Sequence, residues 1–83
     1  MSKKSINLEI QSTKSFEQMN LEWMEVESPT GNFFVGPEHS PLVSIIKQNS
    51  TLKVKHFEGK EESIEISGGF LFVKFNQATI LLD

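Results

Sequence analysis

The two histidines are the first residues to consider for chemistry, because imidazole is the side chain that ordinarily titrates near neutral pH. They are His39 and His56, and the sequence contains no cysteine. His39 lies between Glu38 and Ser40, the residue types of a base and a nucleophile. Adjacent residues of an extended chain point to opposite faces, so they do not form such a pair. We interpret His39 as a loop residue that fixes backbone geometry or touches a partner.

No metal, cofactor or acid–base site is predicted either. Neither histidine has another His or a Cys at a metal-ligand spacing. His56 is predicted at a strand end beside lysines, where solvent exposure explains it, and the acidic run 58–62 is typical of a solvated hairpin tip. Gly68-Gly69 is not followed by the Lys-Ser or Lys-Thr of a phosphate loop, and a bulge or tight turn explains it.

Length and charge restrict the class of protein. A chain of 83 residues predicts one domain, residues 1–83, and 37% hydrophobic residues indicate a globular fold. Eight basic and eleven acidic side chains give a net charge of −3, which disfavours binding to nucleic acid. No segment approaches the roughly 20 apolar residues of a membrane-spanning helix, so direct insertion into a membrane is not expected. The lack of cysteine leaves the redox compartment open.

Period-two patterns predict an all-β fold. Ile6, Leu8 and Ile10 alternate with polar residues, which is typical of a half-buried strand. Between residues 21 and 27 the apolar phase shifts by one position, which predicts a β-bulge or a strand that changes faces. No apolar spacing of three and four lasts long enough to predict a helix. We therefore expect an antiparallel β-sandwich rather than an open sheet.

A first hairpin is predicted from two alternating segments: Leu52 and Val54 alternate with lysines, and Ile64 and Ile66 alternate with polar residues, so the apolar residues stand at even positions on both strands. Cross-strand partners share a face, so the loop must contain an odd number of residues. Two loops satisfy this condition: residues 57–59, which end on glycine, or residues 58–60, which would pair Leu52 with Ile66.

A second hairpin is predicted around a four-residue turn at residues 74–77. It sets Leu71 opposite Ile80, and Phe70 and Phe72 on the other face. Both faces are then apolar, and the face outside the core needs a cover of chain or partner. In the competing interpretation, Phe70 packs inside and Phe72 is an isolated surface aromatic.

Three segments occur in a recognisable order: GNFFVGPEHSPLVS at residues 31–44, SGGFLFV at 67–73 and TILLD at 79–83. This order resembles the epsilon subunit of rotary ATP synthase over nearly the whole chain. In that family the first segment typically has the pattern G-x-F-G-V-L-P-G-H-A-P-L and forms a loop. The second typically has the pattern S-G-G-F-L-E-V and enters a strand.

The resemblance implies a sandwich of about ten short strands, without chemistry of its own, held by the gamma subunit and resting on the ring of c subunits. Its ring-facing loop would match residues 31–41. The implied ring-facing residues are Gly31, Asn32, Glu38 and His39. The implied gamma-facing residues are Leu42, Val43, Ser44, Phe70, Phe72 and Leu81.

Departures from the family pattern concentrate in the loop. Phe34 and Glu38 stand where the family usually has glycine, and Gly36 where it has a larger apolar residue. Phe34 cannot adopt a positive φ as cheaply as glycine does. Either its backbone is ordinary, or Gly36 has become the flexible point.

The function implied is structural coupling of proton flow to ATP synthesis, at the cytoplasmic face of the bacterial inner membrane. Longer family members continue past the position of Asp83 into a helical hairpin that can bind ATP or restrain rotation, and neither activity is assigned here. The alternative is a free-standing sandwich adaptor, or diverged paralogue, that binds another protein through the apolar face. A small-ligand carrier would need a concave apolar pocket, for which 83 residues leave little room.

Overall fold

The computed structural model describes residues 4–83, which form eight strands connected by short turns. The strands are β1 (Ile6–Gln11), β2 (Phe16–Ser28), β3 (Gly31–Val35), β4 (His39–Ile46), β5 (Ser50–His56), β6 (Glu61–Ile66), β7 (Gly69–Phe75) and β8 (Gln77–Leu82). The described residues contain no helix, and therefore none that could cross a membrane. The all-β prediction is confirmed with eight strands instead of about ten. Expectations for residues 1–3, including the start of the predicted domain, lie outside the described residues.

The eight strands form one curled sheet in the order β4-β7-β8-β1-β2-β5-β6, with β3 paired to β2. The pairs are antiparallel except for β1 and β8, which run parallel. Sequence patterns predicted only antiparallel pairing, because they gave no sign that the first and last strands of the chain are neighbours.

Strand β2 has 13 residues and takes part in both halves of the curled sheet. Its first half pairs with β1, and its second half pairs with β3 and β5. The register shifts between Leu21 and Trp23, so the inward-facing positions change from Leu21 to Met24 and Val26, all buried. The predicted phase change is therefore a β-bulge, which also increases local bending and twist.

The core lies between the inner faces of the curled sheet and receives side chains from every strand. Its buried members are Ile6, Leu8, Ile10, Leu21, Met24, Val26, Val35, Ile46, Leu52, Val54, Ile66, Leu71, Val73, Ala78 and Ile80. Fully burying a side chain of Val, Leu or Ile contributes about 1.5–3 kcal/mol. The Lys47 N–H, just after β4, donates to the Glu27 carbonyl at 2.9 Å and ties β4 to β2.

The β5–β6 hairpin adopts the loop of residues 57–59. Leu52 lies opposite Ile64, and the His56 N–H donates to the Lys60 carbonyl at 2.7 Å. Gly59 has a φ of 109°, and its N–H donates to the His56 carbonyl at 2.8 Å. The last position of the loop needs this positive φ. Glycine occupies that position in the loop of residues 57–59, whereas Lys60 would occupy it in the alternative loop.

The β7–β8 hairpin confirms the predicted register but has a tighter turn. Leu71 lies opposite Ile80 as predicted, while Lys74 and Gln77 are themselves paired. The predicted four-residue turn is therefore wrong, and only Phe75 and Asn76 form it. The predicted turn of four residues and the observed turn of two both contain an even number of residues. The side chains of β7 and β8 therefore lie on the predicted faces.

Gly68 and Gly69 bring the chain into β7 with φ values of 132° and 150°. A Cβ on Gly69 would lie 2.0 Å from the Leu81 carbonyl oxygen on the neighbouring strand. The positive φ of the double glycine was predicted, whereas the close strand approach that leaves no room for a side chain at Gly69 was not.

Candidate protein-binding surface

Five large apolar side chains form a continuous patch on the outer side of β4, β7 and β8. Val43 pairs with Phe72, and Ile45 pairs with Phe70, which in turn pairs with Leu81. Their exposed fractions run from 39% for Phe72 and Leu81 to 70% for Val43. We call these five residues the apolar face. A contiguous exposed patch of this kind marks an interaction site more often than scattered apolar residues do.

Strand alternation explains why this patch faces outward. In β7, Leu71 and Val73 are buried in the core, so Phe70 and Phe72 point to the other side. The interpretation that Phe70 packs inside while Phe72 stands alone is wrong, because residues two apart in a strand share a face. Both faces of the β7–β8 hairpin are apolar, as the sequence predicted.

A polar border limits the apolar face on the side of β1. The Glu9 carboxylate accepts hydrogen bonds from Gln11 Nε2 at 3.3 Å and from Gln18 Nε2 at 3.4 Å. Within the apolar face itself, Val43 and Phe72 line an open groove of about 490 Å³ together with Leu42, Thr79 and neighbouring residues. A hydrophobic centre with a polar rim is the usual anatomy of a protein–protein interface.

The six residues predicted to face gamma lie on two different sides of the sheet. Val43, Phe70, Phe72 and Leu81 belong to the apolar face. The other two lie on the inner side of β4: Leu42 packs against the core, and Ser44 is opposite buried Leu71. Sequence reasoning did not include Ile45, although its alternation with Val43 in one strand was a signal that could have found it.

The four residues predicted to face the ring lie at two separate corners. Gly31 and Asn32 begin β3, whereas Glu38 and His39 follow it and lead into β4. The first part of the predicted loop, residues 31–35, is therefore a strand, because it pairs with the second half of β2. His39 Nδ1 lies 2.7 Å from the Ser40 carbonyl oxygen.

The residue with a left-handed backbone in the segment between β3 and β4 is Glu38. It has a φ of 62°, whereas neither Phe34 nor Gly36 has a positive φ. The left-handed conformation thus occurs at a position where the family pattern has glycine, but here on a residue with a Cβ. The Glu38 N–H donates to Asn76 Oδ1 at 2.6 Å, and the Glu38 carboxylate forms an ion pair with Lys4.

Another exposed aromatic, Phe34, lies on the outer side of the other half of the sheet. Phe34 meets the ring of Trp23 edge-on, with 5.3 Å between ring centroids. It pairs with Glu25, which pairs with Lys53 on the next strand. This aromatic contact is therefore surrounded by charge.

Within residues 4–83 no group of three or more His, Cys, Asp or Glu side chains could hold a metal ion. His56 Nε2 lies 2.8 Å from the Glu62 carboxylate on the neighbouring strand, an arrangement that the β5–β6 pairing explains.

Residues 6–83 match the family model of the ATP synthase delta/epsilon chain, beta-sandwich domain. The chain belongs to this family. The resemblance seen in the three sequence segments is therefore confirmed, and the curled sheet is the family's β-sandwich. The ATP synthase epsilon chain of Exiguobacterium sp. (strain ATCC BAA-1283 / AT1b) is 39% identical over 57 residues. That match covers 69% of this chain and 41% of the relative, so it spans less than half of the relative's length.

Solved structures of the same fold include two from mitochondrial ATP synthases. One is the OSCP/F1/c-ring of Euglena gracilis in rotational state 1, with a TM-score of 0.86 and 23% identity over 94% of this chain and 50% of that one. The other is the central stalk/c-ring of Tetrahymena thermophila, with a TM-score of 0.78 and 10% identity over 99% of this chain and 66% of that one. At these identities the likeness establishes the β-sandwich fold.

Proposed function

We propose that this chain is one non-catalytic domain of the central stalk of a proton-translocating F-type ATP synthase. It binds the gamma subunit and the c ring, and so couples proton flow to ATP synthesis. As part of that complex it is peripheral, at the cytoplasmic face of the bacterial inner membrane. The observation that carries the proposal is the apolar face, an outward ladder of large side chains on a fold of this family.

Gamma binds at the apolar face. Its centre is the pair of aromatic rings of Phe70 and Phe72, flanked by Val43 and Ile45 on β4 and Leu81 on β8. Binding energy at protein interfaces concentrates in a few such anchors, which lose their water when the partner covers them. Leu42 and Ser44 support the contact from the inner side of β4 without providing its exposed surface.

The ring binds at the two corners formed by Gly31 and Asn32 and by Glu38 and His39. Strand β3 lies between them and is itself about 13 Å long, from a rise of about 3.3 Å per residue. A ring repeats the same loop in every subunit, so two separated corners can contact different copies. The polar side chains and main-chain groups at both corners can form hydrogen bonds with the polar loops that the family resemblance implies for the c ring.

Co-purification from native membranes solubilised in mild detergent tests this function. The tagged chain is compared with Phe72→Glu in the apolar face, Phe34→Glu on the opposite outer face, and His39→Ala at a ring corner. We expect the intact chain and Phe34→Glu to recover gamma, the catalytic subunits and the c ring. Phe72→Glu should lose gamma while its thermal melt shows a folded domain, and His39→Ala should recover less ring. Recovery of none of these subunits by the intact chain would reject the assignment and favour the free-standing adaptor.

A further inference from the structure

The corner that carries Glu38 and His39 is held in an unfavourable backbone conformation. A φ of 62° costs a residue with a Cβ more than it costs glycine. Its ion pair with Lys4 joins two side chains that are each more than half exposed, and exposed pairs contribute little. His39 is held by its strand pairing with Phe75, so the short bond from the Glu38 N–H to Asn76 Oδ1, at 2.6 Å, is the contact that fixes Glu38 itself.

Asn76 is well placed to fix another segment because it is itself anchored. Its carbonyl accepts the Asn7 N–H of β1 at 2.8 Å, and Asn7 Nδ2 donates to Gln77 Oε1 at 3.1 Å. Asn76 occupies half of the two-residue turn between the core strands β7 and β8. The contact thus connects a corner of the β3–β4 segment to the rigid sheet.

We propose that Asn76 is a positioning residue for the ring-facing corner: its Oδ1 holds Glu38 in the conformation that binds the c ring. The inference rests on the proposed function. A corner held in advance loses less conformational freedom on binding, so the same contacts give tighter association. Gamma binds elsewhere, on the apolar face, and is not expected to depend on Asn76.

The test measures binding to purified gamma and to the detergent-solubilised c ring, separately. Asn76→Ala removes the acceptor, Asn76→Asp keeps an acceptor oxygen, and Lys74→Ala is a control beside the same turn. We expect Asn76→Ala to weaken ring binding about 5- to 10-fold, the size of one lost hydrogen bond, with gamma binding unchanged. Asn76→Asp should recover most of the ring affinity, and Lys74→Ala should bind the ring like the parent chain.

Hydrogen exchange of the Glu38 amide gives a readout that does not involve any partner. It should accelerate about 5- to 10-fold in Asn76→Ala and remain slow in Asn76→Asp. Faster exchange with unchanged ring affinity would overturn the positioning role while leaving the proposed function intact. A loss of gamma and ring binding together would show that Asn76 serves the fold in general. A parent chain that binds gamma but not the ring would reject ring docking itself, and the positioning role with it.

Discussion

The two outer faces of this sandwich have the same strand alternation but opposite chemistry. The apolar face on β4, β7 and β8 joins five large apolar side chains across three strands. The outer side of β2, β3 and β5 instead interleaves aromatic and charged residues, and we call it the mixed face. Its members are Trp23, Glu25, Glu27, Phe34, Lys53 and Lys55.

Contiguity, and not the exposure of single residues, distinguishes the two faces. Phe34 is 59% exposed and Phe72 only 39%. Phe34, however, lies against Trp23 and opposite Glu25, whereas Phe72 is flanked by Val43 in the neighbouring strand. A partner covering the apolar face removes connected apolar surface from water, while a partner covering the mixed face must also desolvate charges.

The largest effect should come from breaking the strand pair on which the apolar face is built. Gly69→Ala places a Cβ 2.0 Å from the Leu81 carbonyl oxygen at a φ of 150°, so the β7–β8 pairing cannot close unchanged. We expect a loss of about 3 kcal/mol or more in the free energy of unfolding, measured by urea denaturation.

Gly36→Ala is the control for that experiment. A Cβ at Gly36 meets no atom within 4 Å, and its φ is outside the left-handed range. Its unfolding free energy should stay within about 1 kcal/mol of the parent value. Equal losses in both variants would mean that close strand approach at Gly69 is not the cause.

The next largest effect separates the two faces directly. Phe72→Glu should weaken binding to purified gamma at least about 30-fold, because it puts a charge in the centre of the apolar face. Phe34→Glu, on the mixed face, should leave gamma affinity within about twofold. Isothermal titration calorimetry measures both, and a comparable loss in Phe34→Glu would place gamma on the mixed face or on both.

A smaller effect is expected at the border of the apolar face, and it tests how far the gamma-binding surface extends. Ile45→Ser removes a side chain that is 57% exposed, so we expect little change in stability but about a 3- to 10-fold loss of gamma affinity. Lys53→Ser on the mixed face is the matched control. Unchanged gamma affinity in Ile45→Ser would confine the binding surface to the β7–β8 hairpin and Val43.

The smallest effect is expected from an ion pair on the mixed face. Lys55 Nζ lies 3.7 Å from the Glu22 carboxylate, and both side chains are partly accessible to water. Lys55→Ala should lower the free energy of unfolding, measured by thermal denaturation, by about 0.5 kcal/mol or less. Its affinity for gamma should be unchanged. A loss well above 1 kcal/mol would show that the mixed face has a structural role that its accessibility does not indicate.

Much of the fold could be predicted because strand periodicity is a local property. The alternation of Ile6, Leu8 and Ile10, and the phase shift near Trp23, indicated which side chains face the core. The register of Leu71 and Ile80 followed from the rule that cross-strand partners share a face. These relations depend only on residues close together in the chain, as does the family pattern of residues 31–44.

The sequence alone therefore determined the all-β class, the family and the phase shift within β2, while the structure identified that shift as a β-bulge and placed Phe70 on the outer side. Only the tertiary structure decided that β1 and β8 run parallel, that Ile45 joins the apolar face and that β3 separates the two ring corners. It also placed Asn76 against Glu38, 38 positions away in the chain. Such contacts join segments distant in sequence, and they form only when the core is packed around every strand at once, which a period of two does not encode.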